Sequence, residues 1–151
     1  MGIVGHRIIL GHMASTRSRP FGVEQLVQQT AAIDGKEVEI GIEQDPASAG
    51  AAEAASYIRL LKGYNVIAHP VSKNKLVRYK PFSAQAQAGN VWMVRGEWNE
   101  SYLNESEAFN DPDWKDDQID VTSGGFNTLM DAPETAAAEN WAKAKLSGIG
   151  W

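Results

Sequence analysis

The chain has 151 residues, with 14 Lys plus Arg against 19 Asp plus Glu, a formal net charge of −5 and no cysteine. That length fits one domain with a core of its own, and the absence of cysteine excludes disulfide frameworks, thiolate zinc sites and cysteine nucleophiles. His6, His12 and His69 are too few for a histidine-rich metal site, and no apolar run reaches the ~18 residues of a membrane span, so the chemistry left is that of carboxylates in an aqueous, reducing compartment.

Ile3 to Leu10 is β-branched and bounded by glycines, which predicts one strand. Gly11-His12-Met13-Ala14-Ser15 reads as a loop or as a stretch left by cloning, and Thr16 to Pro20 as a polar loop. Val23, Leu26, Val27 and Ala31 recur at helical spacing, so Phe21 to Ile33 is a predicted helix that Asp34-Gly35 ends. From Glu37 to Asp45 the period changes to two: Val38, Ile40 and Ile42 share one face, and Glu39, Gly41, Glu43 and Asp45 the other. Asp45-Pro46 then offers a helix cap followed by a first-turn proline, and an Ala-rich helix runs to Gly63.

Asn65 to Val71 is a second short strand. Lys73 to Ala88 is helical in composition, with Pro81 expected to kink or split it. Val91 to Val94 is a strand, and Asn99 to Phe109 a helix with Tyr102 and Leu103 turned inward. Asp116 to Leu129 is a helix weakened by Gly124-Gly125, and the Ala-rich tail 131–151 is either a loosely docked helix or frayed. Residues 1–130 are therefore expected to form one α/β domain, a mixed sheet flanked by helices.

The net charge hides a segregation. Lys62, Lys73, Lys75, Arg78 and Lys80 fall in a stretch with no acid, whereas Glu97 to Asp120 holds nine acids and one lysine. A basic segment of that kind can follow a phosphate backbone, joined by Arg17 and Arg19, or be an ordinary solvated helix face. Carboxylates at a strand end (Glu43, Asp45) and at a helix start (Asp116, Asp117) can converge at one edge of a sheet. Like charges at short range raise each other's pKa, so an ionised cluster normally needs a cation, and oxygen donors alone suit Mg²⁺ or Mn²⁺. Two such ions can activate a water and stabilise the leaving oxygen of a phosphodiester. The plainer reading of Asp45 and Asp116 is a helix cap, and of Asp117 a charge on the helix dipole. No phosphate-cradling Gly-x4-Gly-Lys-Ser/Thr loop and no Gly-x-Ser-x-Gly elbow occurs, which excludes a P-loop ATPase and a serine hydrolase of that type.

Several blocks in order resemble one family. Ile42-Glu43-Gln44-Asp45-Pro46-Ala47-Ser48-Ala49-Gly50, then Asn65 to Gln85, Ala88-Gly89-Asn90-Val91 with Arg95-Gly96-Glu97-Trp98-Asn99-Glu100, and Lys115-Asp116-Asp117-Gln118-Ile119-Asp120 are similar to the C-terminal nuclease domain of phage large terminases. The resemblance runs from Phe21 to Leu129 and implies a ribonuclease-H-like fold with a two-metal Mg²⁺ or Mn²⁺ site that cuts concatemeric double-stranded DNA during genome packaging, in the host cytoplasm. It implies catalytic and metal-binding roles for Asp45, with Glu43 as neighbour or alternative, and for Asp116 and Asp117. Asp120 would support them, and Lys73, Lys75 and Arg78 would contact the DNA backbone. Expected partners are DNA, the portal, the small terminase subunit and the ATPase domain of the large subunit.

Two departures accompany the resemblance. Lys115 stands where the family block usually has His, and no acid precedes Glu24, so the aspartate of the family's first strand has no counterpart. The sequence thus reads as a nuclease domain lacking its first strand or strands. The alternative to an active endonuclease is a catalytically impaired prophage remnant that only docks on DNA or on packaging proteins.

Overall fold

The computed structural model describes residues 1–14, 19–71, 74–109 and 115–131, with 143, 146 and 147. In chain order the elements are β1 (Gly2–Val4), β2 (Arg7–Leu10), α1 (Pro20–Asp34), β3 (Glu39–Gln44), α2 (Ser48–Leu60), β4 (Asn65–Pro70), α3 (Lys75–Gln87), β5 (Val91–Met93), α4 (Trp98–Glu107) and α5 (Asp117–Asp131). They fall into two compact units, one of Met1–Ser15 with Lys73–Trp151, the other of Thr16–Ser72. No described helix is long and apolar enough to cross a membrane.

In the first unit the expected single strand is a hairpin. Gly5 takes a φ of +59°, which an L side chain rarely adopts, and the chain reverses over Gly5-His6 so that Val4 pairs with Arg7 and Ile3 with Ile8. β2 then pairs in parallel with β5, Ile8 opposite Val91 and Leu10 opposite Met93, which gives a small mixed sheet. Ile8 and Leu10 point to one face, where they pack with Phe82, Tyr102, Ile119 and Phe126 of α3, α4 and α5. Met13 packs against the same cluster and Gly11 is buried, so these two residues of the stretch that also read as a cloning remnant belong to this unit's core.

Two helices run through residues expected to break or weaken them. Pro81 lies inside an unbroken α3. An interior proline costs ~3 kcal/mol, but the next residue, Phe82, is buried against Tyr79 and Phe126, and burying such a side chain returns ~1.5–3 kcal/mol. α5 continues through Gly124-Gly125 because the turns on either side are held by burial of Ile119 and Phe126, and the buried Thr122 and Ser123 hydroxyls are satisfied by the carbonyls of Gln118 and Ile119. On α4 Tyr102 faces the core as expected, whereas Leu103, the next residue round the helix, is exposed.

The second unit is a β3–α2–β4 crossover with α1. β3 and β4 pair in parallel from Glu39 opposite Asn65 to Gln44 opposite Pro70. Its buried side chains are small except for Leu61: Ala31 and Ala54 bring the helices close at little area each. The helix start differs from expectation, since the capping residue of α2 is Ala47, with no side-chain cap, and not Asp45. The reason is the path of the turn. Asp45 folds back over Gly50 so closely that a Cβ there would lie 2.5 Å from the Asp45 carbonyl oxygen and 2.6 Å from its Cβ. The strand-turn-helix therefore depends on Gly50 having no side chain, and it leaves Asp45 exposed.

Candidate functional site

The Asp116-Asp117 pair stands at the start of α5, and that start is fixed from two sides. From α4 the buried carboxylate of Glu105 accepts the backbone N–H groups of Gln118 at 2.5 Å and Ile119 at 3.0 Å, and the Gln118 side-chain amide at 2.6 Å. Helix N-termini leave donors without intrahelical partners, and here a carboxylate from another helix satisfies two of them while lying at the positive end of the dipole. The first turn closes with the Asp120 N–H on the Asp116 carbonyl.

From α3 come two cations. Lys75 Nζ donates to Asp116 Oδ1 at 2.8 Å and lies 2.6 Å from Asp120 Oδ2. Arg78 donates to Asp120 Oδ1 at 2.9 Å. The Asp116 and Asp120 hydrogen bonds push the Lys75 pKa up from its ordinary value, against a smaller opposing effect of burial. The Lys75 side chain is 53% exposed, whereas those of Arg78 and Asp120 are 11% and 15% exposed, so the second pair works at lower dielectric than the first. Asn127 adds a hydrogen bond from α5 to the carbonyl of Arg78.

The structure thus brings together Asp116, Asp120, Lys75 and Arg78. Residues read from the sequence as metal ligand and DNA contacts are each other's ion-pair partners. The cation that an acidic cluster requires is supplied here, for Asp116 and Asp120, by side chains. Asp117 is exposed and makes no hydrogen bond or ion pair among the described residues. Lys73 and Arg17 lie outside the described residues, and Arg19 is exposed ahead of α1.

In the second unit Glu43 is exposed on β3 and Asp45 is the first residue beyond it. Their strand face carries one residue that sequence reasoning passed over. His69 is in register opposite Glu43, its ring lies over Gly41, and its Nε2 is 3.2 Å from Glu39 Oε1. The alternation of β4 could have put His69 on that face, but only the register names its neighbours. Glu105 was missed for a different reason: a glutamate on a helix in an acidic stretch carries no sequence sign of burial. Among the described residues, no three His, Asp or Glu side chains gather as a group that could hold a metal ion.

The sequence profile of the terminase RNaseH-like domain, Terminase_6C, matches residues 7–129. No curated protein and no solved structure matches the chain significantly. The match spans most of the chain, including both acidic segments and the basic α3, and the α/β architecture with its small mixed sheet agrees with it. The chain belongs to the terminase RNaseH-like domain family.

Proposed function

We propose that the chain is the nuclease module of a phage or prophage terminase large subunit, a divalent-metal-dependent endonuclease that hydrolyses phosphodiester bonds of double-stranded DNA during genome packaging. The observation that carries this reading is the start of α5. Glu105, Lys75 and Arg78 immobilise the Asp116–Asp120 turn, and Asp117 alone of its three aspartates is left exposed and without a side-chain partner among the described residues.

The donors proposed for Mg²⁺ or Mn²⁺ are Asp117 and Asp116, with Glu43 on β3 and Asp45 just beyond it. All are hard oxygens, the chemistry these ions prefer. Among the described residues no three His, Asp or Glu side chains gather as a group that could hold a metal ion, and Lys75 already occupies Asp116. What the chain's own residues do is narrower. Asp117 offers a carboxylate at a helix N-terminus, and Lys75, half exposed, can reach a DNA phosphate while holding Asp116. Arg78, nearly buried on Asp120, fixes the turn more than it meets solvent. Lys73 belongs to the same proposed DNA contact, and the portal, the small subunit and the ATPase domain are the proposed protein partners.

The test is nicking of supercoiled DNA in Mg²⁺ or Mn²⁺ by the native chain, Asp45→Ala and Asp117→Ala. Loss of cutting in both variants is expected, and equal cutting by all three proteins overturns the reading. The second reading, a docking module without catalysis, is favoured by Lys75 neutralising Asp116 and Asp120. It predicts no NMR shifts near Asp45 and Asp117 at millimolar Mg²⁺.

A further inference from the structure

The structure assigns a binding site for one unpaired nucleotide of a DNA strand to the cleft at the carboxyl ends of β2 and β5. The two strands are parallel, so both chains leave the sheet at the same edge, the place where open α/β sheets take ligands. The cleft there has a volume of about 600 Å³, and His12, Arg95, Gly96, Trp98, Ser101 and Gln118 line it. That size is in the range of small-molecule sites.

The cleft is built of ordered parts. Asn99 clamps the loop after β5, its Oδ1 accepting the Gly96 N–H at 2.7 Å and its Nδ2 donating to the Val94 carbonyl at 3.1 Å. The Trp98 indole lies over Gly96, where a Cβ would stand 2.7 Å from its Cδ1 and Nε1. Tyr102 supports the indole edge-on from the core side at 5.8 Å, and His12 meets it edge-on at 6.3 Å. At the inner end the Gln118 amide is oriented by Ser101 and Glu105, at 3.2 and 2.6 Å. Arg95 is exposed and makes no ion pair among the described residues.

This combination selects the ligand. The Trp98 and His12 rings, at 76° to each other, let one of them stack on a base of any kind, while the Ser101 hydroxyl, oriented by the Gln118 amide, can meet a base edge. Arg95 suits one phosphate, but Glu97 on the same cleft offsets its charge, so free phosphate gains little by binding there. A base inside a duplex cannot reach such a cleft, which restricts the site to an unpaired or extruded nucleotide. The inference deepens the nuclease reading, because it names a part of the substrate engaged beside α5. It does not depend on metal binding.

The experiment is an NMR titration of the full chain without divalent cations, following the Trp98 indole N–H and the amides of Gly96 and Ser101. The ligands are single-stranded oligothymidylate, dTMP, thymidine, inorganic phosphate and a blunt duplex of two fully complementary strands. Oligothymidylate should shift all three signals and bind more tightly than dTMP, and inorganic phosphate and the duplex should leave them in place. Arg95→Gln should weaken dTMP about tenfold and leave thymidine unchanged. His12→Ala, at an exposed position, should weaken every thymine-bearing ligand. Absence of shifts with oligothymidylate overturns the proposal, as do shifts confined to Lys75 and Arg78. Equal affinity for dTMP and the oligonucleotide overturns the assignment to a DNA strand in favour of a free nucleotide. The titration contains no divalent cation and reads signals of the cleft alone, so a failed cutting assay and a failed binding assay remain distinguishable.

Discussion

The Glu105 carboxylate accepts the backbone N–H of Gln118, 2.5 Å away, and so joins the last turns of α4 to the first turn of α5. It also satisfies the Ile119 N–H and the Gln118 side chain, which makes it the group on which the Asp116-Asp117 segment is aligned. Glu105→Ala leaves these buried donors without their acceptor and should cost ~2–4 kcal/mol in denaturant unfolding. Glu105→Gln keeps the shape and one acceptor and should lose less than half of that. A loss under ~0.5 kcal/mol in the alanine variant would remove Glu105 from this role.

The two ion pairs of α3 should differ in worth. Lys75 is half exposed, so Lys75→Met should change stability by no more than ~1 kcal/mol and become neutral in high salt. Asp120→Ala removes the carboxylate that faces the nearly buried Arg78 guanidinium and should cost ~2–3 kcal/mol with little salt dependence. Unfolding curves at low and high salt check both. Equal salt sensitivity of the two variants would contradict the burial difference.

Gly50→Ala should be unusually harmful for a glycine at the start of an Ala-rich helix. The added methyl meets backbone atoms of Asp45, which cannot swing aside as a flexible side chain would. The expected cost is ~1–3 kcal/mol, with amide shifts concentrated at Asp45 to Gly50. Ala49→Gly, at an exposed neighbouring position, should not produce those shifts.

Stability should fall at alkaline pH. Burial pushes the Tyr102 phenol up to about 12 from 10.0, and hydrogen bonds to Asp116 and Asp120 raise Lys75 above 10.5. Both groups have a folded pKa above the unfolded one, so the unfolded state loses its protons first. Their contribution is complete below pH 10 and disappears as pH rises through the folded values. Thermal unfolding between pH 9 and 12 should show this decline, and Tyr102→Phe should shallow it. An identical slope in that variant would exclude Tyr102 as a source.

Much of the element order could be read from pattern. The period of two in Val38 to Ile42 and the helical spacing of Val23, Leu26, Val27 and Ala31 reflect which face meets a core, and that requirement is local. The errors have local causes with non-local remedies. Gly5 turns an apolar run into a hairpin because its positive φ permits a reversal. Pro81 stays inside a helix because Phe82 is buried, and Asp45 yields its capping place because Gly50 lets the chain fold back over it.

By itself the sequence determined that this is a cysteine-free α/β chain, and its ordered blocks carried the terminase resemblance that the family match bears out. Tertiary structure alone decided how the charges are used. Lys75 and Asp116 are 41 residues apart and Arg78 and Asp120 are 42 apart, so part of the basic segment neutralises part of the acidic one. Charge in a sequence is additive, but its effect depends on distance and dielectric, and these exist only once α3 and α5 are packed. The same packing buries Glu105 on the start of α5 and leaves Asp117, of the aspartates in that turn, facing solvent.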